Sequence, residues 1–129
     1  MKIHLFAWGF LFSAALTVTA GEPLTIAVSP LQSFAPTNVI VRVHVSPDDA
    51  NRALEITADS GDYYRSSRMQ LDGKDAPRTI TFEHRSLPGG DYDVRVVLLD
   101  SIGHARAVAH QQVHVLPAAG GDQHDATRE

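Results

Sequence analysis

The chain has no cysteine, and its one tryptophan is Trp8. Without thiols there is no disulfide framework, no thiolate nucleophile and no thiolate metal ligand, so a small fold has to be held by its apolar core alone. Lysine is scarce, occurring only as Lys2 and Lys74. The formal net charge is -4 at pH 7, with no basic stripe, and this excludes the electrostatic footprint of a nucleic-acid binder. Neither Asn38 nor Asn51 opens an N-x-S/T acceptor for a glycan.

Long apolar runs are rare as well. One spans 5–18, after Lys2, and leads to Val18-Thr19-Ala20, small or aliphatic groups of the kind a signal peptidase reads. The run is shorter than the roughly 20 residues a helix needs to cross a bilayer, and no cysteine follows it to take a lipid. The expectation is a signal peptide helix over 1–20, cleaved after Ala20, and a periodic chain from Gly21 that is periplasmic or secreted and makes no stable membrane insertion after cleavage. Trp8 leaves with that segment, which removes the indole from any interface or sugar platform. Roughly 110 residues then suffice for one domain.

What remains is rich in short alternating runs, with glycine and proline falling between them. Leu24, Ile26 and Val28 share a face and stop at Pro30. Val39, Val41, Val43 and Val45 form the cleanest period-two run, with Asn38, Arg42 and His44 opposite. Leu54, Ile56 and Ala58 follow, backed by Glu55 and Thr57. A more polar run over 63–71 is expected at a sheet edge, where Arg65 and Arg68 discourage edge-to-edge pairing. Ile80 and Phe82 mark another strand. Tyr92, Val94, Val96 and Leu98 mark the next, and the last runs from Ala105 to Val115. Leu31, Phe34 and Leu87 are expected to plug the ends.

Between Leu87 and Asp100 a Pro88-Gly89-Gly90 turn feeds Tyr92 into one of these runs. A tyrosine there can bury its ring between sheets while its hydroxyl bonds to backbone a few residues upstream, a structural corner. With the strand spacing and the Asp100-Ser101-Ile102-Gly103 turn, the chain resembles a bacterial immunoglobulin-like or fibronectin type III-like domain over about residues 23 to 116. It departs from immunoglobulin domains in having valines such as Val41 and Val94 where the cysteines stand, and Leu54 or Ile56 in place of the tryptophan. The resemblance implies an all-β fold: a single immunoglobulin-like β-sandwich of about seven antiparallel strands over 21–116, after the signal peptide at 1–20. The tail at 117–129 is Gly-, Ala- and polar-rich, and is expected to be disordered.

Several residue groups carry chemical suggestions. His104, His110 and His114 share a parity on the last strand, yet positions four apart lie roughly 13 Å from each other at about 3.4 Å per residue. Zinc bonds nitrogen at about 2 Å, so no single metal site closes there. Asp48, Asp49, Asn51, Asp59 and Asp62 concentrate oxygens in two connections, but without a calcium-loop pattern, and turn chemistry accounts for them. Asp100, Ser101 and His104 hold the letters of a hydrolytic triad on one tight turn, without a nucleophile elbow or an oxyanion hole. No metal, cofactor or catalytic residue is expected, and no enzyme.

Tyr63-Tyr64-Arg65-Ser66-Ser67-Arg68 is the remaining candidate. Alternation sets Tyr63, Arg65, Ser67 and Met69 on one face and Tyr64, Ser66 and Arg68 on the other. Tyrosine and arginine combine contact area with directed hydrogen bonds, so Tyr63, Tyr64, Arg65 and Arg68 are the candidate partner-binding residues. The resemblance implies binding or spacing rather than catalysis. The functional expectation is a non-catalytic exported protein-interaction or structural module of the bacterial cell envelope, with a protein partner there. A ligand-binding module for carbohydrate or metal is its alternative.

Overall fold

The computed structural model describes residues 22–118; the expected signal segment and residues 119–129 of the expected tail lie outside the described residues. The strands are β1 (Leu24–Ser29), β2 (Gln32–Phe34), β3 (Thr37–Val45), β4 (Ala53–Asp59), β5 (Tyr64–Gln70), β6 (Thr79–Leu87), β7 (Gly90–Leu99) and β8 (Ala105–Leu116), with a 3-10 turn at Gly73–Asp75. They form one sheet in the order β1-β3-β6 and another in the order β2-β8-β7-β4-β5. The described chain is therefore all-β, and no helix in it is long and apolar enough to cross a membrane.

Period-two alternation builds the core. On β3 Val39, Val41, Val43 and Val45 are buried while Asn38, Arg42 and His44 are exposed. Leu54, Ile56 and Ala58 of β4 and Tyr92, Val94, Val96 and Leu98 of β7 are buried in the same cluster from the other sheet. β-Branched side chains suit this pleated, one-sided surface, and each full burial of a Val, Leu or Ile contributes about 1.5–3 kcal/mol relative to exposure. A charge at Val41 would enter the centre of that layer without a partner and break it.

The first strand divides between the sheets. Leu24–Ser29 pairs antiparallel with β3, and Gln32–Phe34 then pairs in parallel with β8. Pro30 lacks the N–H needed to continue the first ladder, so the crossing falls there. This corrects two expectations: the described residues form eight strands rather than about seven, and not all are antiparallel. Leu31 and Phe34 are not buried end plugs either, at 47% and 57% exposure, because they lie just before and within the short β2 at the sheet edge, whereas Leu87 is fully buried.

Side chains finish the irregular points. The β3–β6 register shifts between Thr37 and Val39, and Ser86 takes a positive φ of 52°. Its N–H is satisfied by Asn38 Oδ1 at 2.8 Å. At the β3–β4 end, buried Asn51 donates from Nδ2 to the Ser46 carbonyl at 2.9 Å and accepts from Arg106 Nη1. Arg106 of β8 also meets Asp48, so the β3–β4 connection is tied to β8 at this end of the molecule.

The opposite side of the molecule is where β5 and β6, terminal strands of their respective sheets, come together. Arg65 of β5 donates from Nη1 to the Arg85 carbonyl of β6 at 2.8 Å. An edge carbonyl that would otherwise be open to another strand is thereby occupied, one of the ways sheets blunt their edges.

Candidate functional site

The segment from Tyr63 to Arg68 divides between two environments because successive side chains on β5 point to opposite sides. Tyr63 and Arg65 turn inward. The Arg65 guanidinium donates from Nη2 to the Tyr63 hydroxyl at 2.6 Å and stands 5.6 Å from the centroid of that ring. Tyr63 in turn meets Tyr92 edge to face, with ring centroids 6.3 Å apart. Tyr92 is fully buried and donates its hydroxyl to the Pro88 carbonyl at 2.7 Å. Its phenol is held above the ordinary value, first by burial. These residues form one continuous stack from the Pro88 turn to the free edge of β6.

Tyr64 and Arg68 lie on the outer face of the five-stranded sheet. Tyr64 is 62% exposed, and Arg68 Nη1 stands 3.7 Å from Glu55 Oε2 on the neighbouring strand. The candidate residues are thus divided into an inner pair, engaged within the fold, and an outer pair open to solvent.

The same outer face carries the histidines of β8. His110 Nδ1 lies 3.2 Å from Asp93 Oδ1, and His114 Nδ1 lies 2.8 Å from Asp91 Oδ1. A carboxylate only accepts, so each pairing requires the proton on that ring nitrogen. Asp93 is also approached by Arg95 at 3.6 Å and Gln112 at 3.4 Å. Exposed pairs of this type contribute roughly 0–1 kcal/mol and set the pattern of the face rather than its stability. His104 precedes β8 at the hairpin and does not join the row. Among the described residues no three His, Asp or Glu side chains are placed to hold a metal ion.

The acidic connections close on their own backbone. Asp48 Oδ1 accepts from Ala50 N at 2.8 Å and Asp59 Oδ1 from Gly61 N at 2.9 Å. Asp100 Oδ1 accepts from His104 N at 2.8 Å and Ile102 N at 3.0 Å, and the first of these bonds is the main reason its carboxyl sits below the ordinary carboxylate value. The Asp100 carboxylate is therefore occupied by backbone amides of its own turn, an arrangement unlike a triad, where the acid orients the histidine ring.

One buried polar group was not singled out in the sequence. His84 of β6 is completely buried, edge-on to Phe82 with ring centroids 4.9 Å apart, and neither ring nitrogen has a hydrogen-bond partner among the described residues. Its pKa is lowered from 6.5 to about 4, first by burial and then by the Arg65 charge. The alternation Ile80, Phe82, His84 contained the signal that this histidine points inward.

No family model matches the chain, and no curated protein matches it. Among solved structures it is similar to a superoxide reductase (neelaredoxin) from Ignicoccus hospitalis, at 16% identity and a TM-score of 0.48, over 73% of this chain and 78% of that one. These findings correct three expectations. The neighbour is not an immunoglobulin-like or fibronectin type III-like protein, and the resemblance to those families is not retained. The features behind it, strand spacing and a tyrosine corner, are local devices of two-sheet β folds and do not select a family. The non-catalytic exported envelope module, with its carbohydrate- or metal-binding alternative, and the exclusion of enzymes are likewise not retained beside a neighbour that carries the name of an enzyme. At a TM-score of 0.48 the likeness assigns no activity to this chain.

Proposed function

We propose that the β5 margin of the five-stranded sheet is a recognition surface for a protein partner, with Tyr64 and Arg68 making the contacts and Tyr63 and Arg65 holding the strand beneath them. The observation that carries this reading is the exposure of Tyr64, at 62%, on a strand held by its ladder to β4 and by the Arg65 clasp to β6. A rigidly mounted aromatic loses little conformational freedom when covered, which favours it as an anchor. Arg68, opposite Glu55 at the surface, offers a directed donor beside it. The surface, rather than an activity of the whole chain, is what this reading concerns.

The experiment is capture of partners by the intact chain, comparing wild type with Tyr64→Ala and Arg68→Ala, each verified as folded by circular dichroism. A species retained by wild type and lost from both variants supports the surface. Equal retention by both variants rejects it. The compartment proposed for the partner is outside the cytoplasm, from Lys2, the apolar run at 5–18 and Val18-Thr19-Ala20. An intact mass starting at Gly21 in extracellular or periplasmic material supports export, and retention of Met1 to Ala20 rejects it.

A further inference from the structure

The place where β5 and β6 meet contains a buried base and a surface cation that share one stretch of the seam. We propose that His84 and Arg65 form an acid-sensitive latch, in which protonation of the buried imidazole drives the Arg65 guanidinium from the Arg85 carbonyl and frees the β5 and β6 edges.

The geometry supplies each part. His84 is completely buried, and neither ring nitrogen has a partner among the described residues, so an added proton creates a second N–H donor with no acceptor there. The charged group bearing on its ring is Arg65. The phenols beside Arg65 are those of Tyr63, which accepts from it, and Tyr92, which donates to the Pro88 carbonyl. On β6 itself Phe82 contacts the ring, while Glu83 and Arg85 alternate to the other side of the strand and pair with each other at 3.3 Å. Across the sheet the register partner is Val39, which is apolar. An imidazolium in this position is thus opposed by burial and by a like charge together.

Of the two cations that would result, Arg65 is the one able to move. Its clasp to Arg85 lies at the surface, whereas His84 is enclosed. Release of Arg65 uncovers the Arg85 carbonyl and loosens Tyr63, and leaves the β7–β8 ladder intact. The device is local opening of two edge strands, the part of a sheet with fewest cross-strand bonds.

Amide hydrogen exchange on the whole chain at pH 7 and pH 4.5, corrected for intrinsic rates, tests this. Protection over 64–70 and 82–87 should fall about tenfold or more at the lower pH, with β7 and β8 unchanged, and His84→Phe should abolish the fall. No loss in wild type, the same loss in His84→Phe, or an equal loss across β7 and β8 overturns the latch. Should His84→Phe not fold, nuclear magnetic resonance of wild type decides: the His84 ring and the Arg65 side-chain NεH must shift with one midpoint. Separate midpoints overturn the latch.

Discussion

The Arg65 guanidinium and the Arg85 carbonyl oxygen, 2.8 Å apart, join the terminal strand of one sheet to the terminal strand of the other. The same guanidinium reaches the Tyr63 hydroxyl, so one side chain fastens the seam and orients a ring of the core margin. Arg68, three positions along the strand, makes an exposed contact with Glu55 at 3.7 Å.

Arg65→Ala should therefore lower stability by about 1.5–2 kcal/mol, the lower part of the range for charged hydrogen bonds because the clasp is at the surface. Arg68→Ala should change it by less than about 0.5 kcal/mol. Urea denaturation of both variants checks the contrast. Equal midpoints for the two would show that the clasp does not fasten the seam.

Tyr92→Phe removes the hydroxyl that donates to the Pro88 carbonyl and leaves the ring to fill its space. The expected loss is about 1–3 kcal/mol, the cost of leaving a buried acceptor without its donor. An unchanged denaturation midpoint at unchanged slope would count against a corner role for Tyr92.

How far these features could be read from the sequence depends on their range. Alternation located the inward residues of β3, β4 and β7 because a two-residue period survives without knowledge of the partner strand. It also separated Tyr63 and Arg65 from Tyr64 and Arg68. The three-residue β2 has no period to detect, and the apolar character of Leu31 and Phe34 suggested burial that an edge strand does not provide. The clasp from Arg65 to Arg85 joins residues twenty apart in different sheets, a relation no local pattern encodes. His84 was legible from its place after Ile80 and Phe82, but its lack of any partner depends on what the other sheet brings opposite. The family was not legible, because turns and corners recur across unrelated β folds.

Gly73 follows β5 at a φ of 58°, and a Cβ built there would meet the Asp49 carbonyl oxygen at 3.2 Å and the Asp49 Cα at 3.3 Å. Both neighbours are backbone and cannot swing aside. Gly73→Ala should cost about 1–3 kcal/mol from the left-handed conformation together with this contact. Gly61, at a φ of 92° with nothing within 4 Å, bears the conformational strain alone, so Gly61→Ala should be the milder change in thermal unfolding. The reverse order would show that the Asp49 approach relaxes freely.

The pH dependence of stability follows from His84. Its folded pKa of about 4 lies below the ordinary 6.5, so as pH falls the unfolded chain takes up the proton first. Stability is full above pH 6.5, declines through the interval down to about 4, and the contribution is lost below it. That interval spans about 2.5 pH units, which at about 1.36 kcal/mol per unit amounts to a loss of about 3 kcal/mol. Carboxylates also titrate toward the lower end of this window, so the comparison is with His84→Phe, which keeps an aromatic ring beside Phe82 and has no proton to bind. Denaturation curves of the two proteins at pH 7 and pH 4.5 should diverge, with wild type losing more. Parallel curves would mean that His84 finds water or an acceptor when charged, and that burial does not hold it neutral.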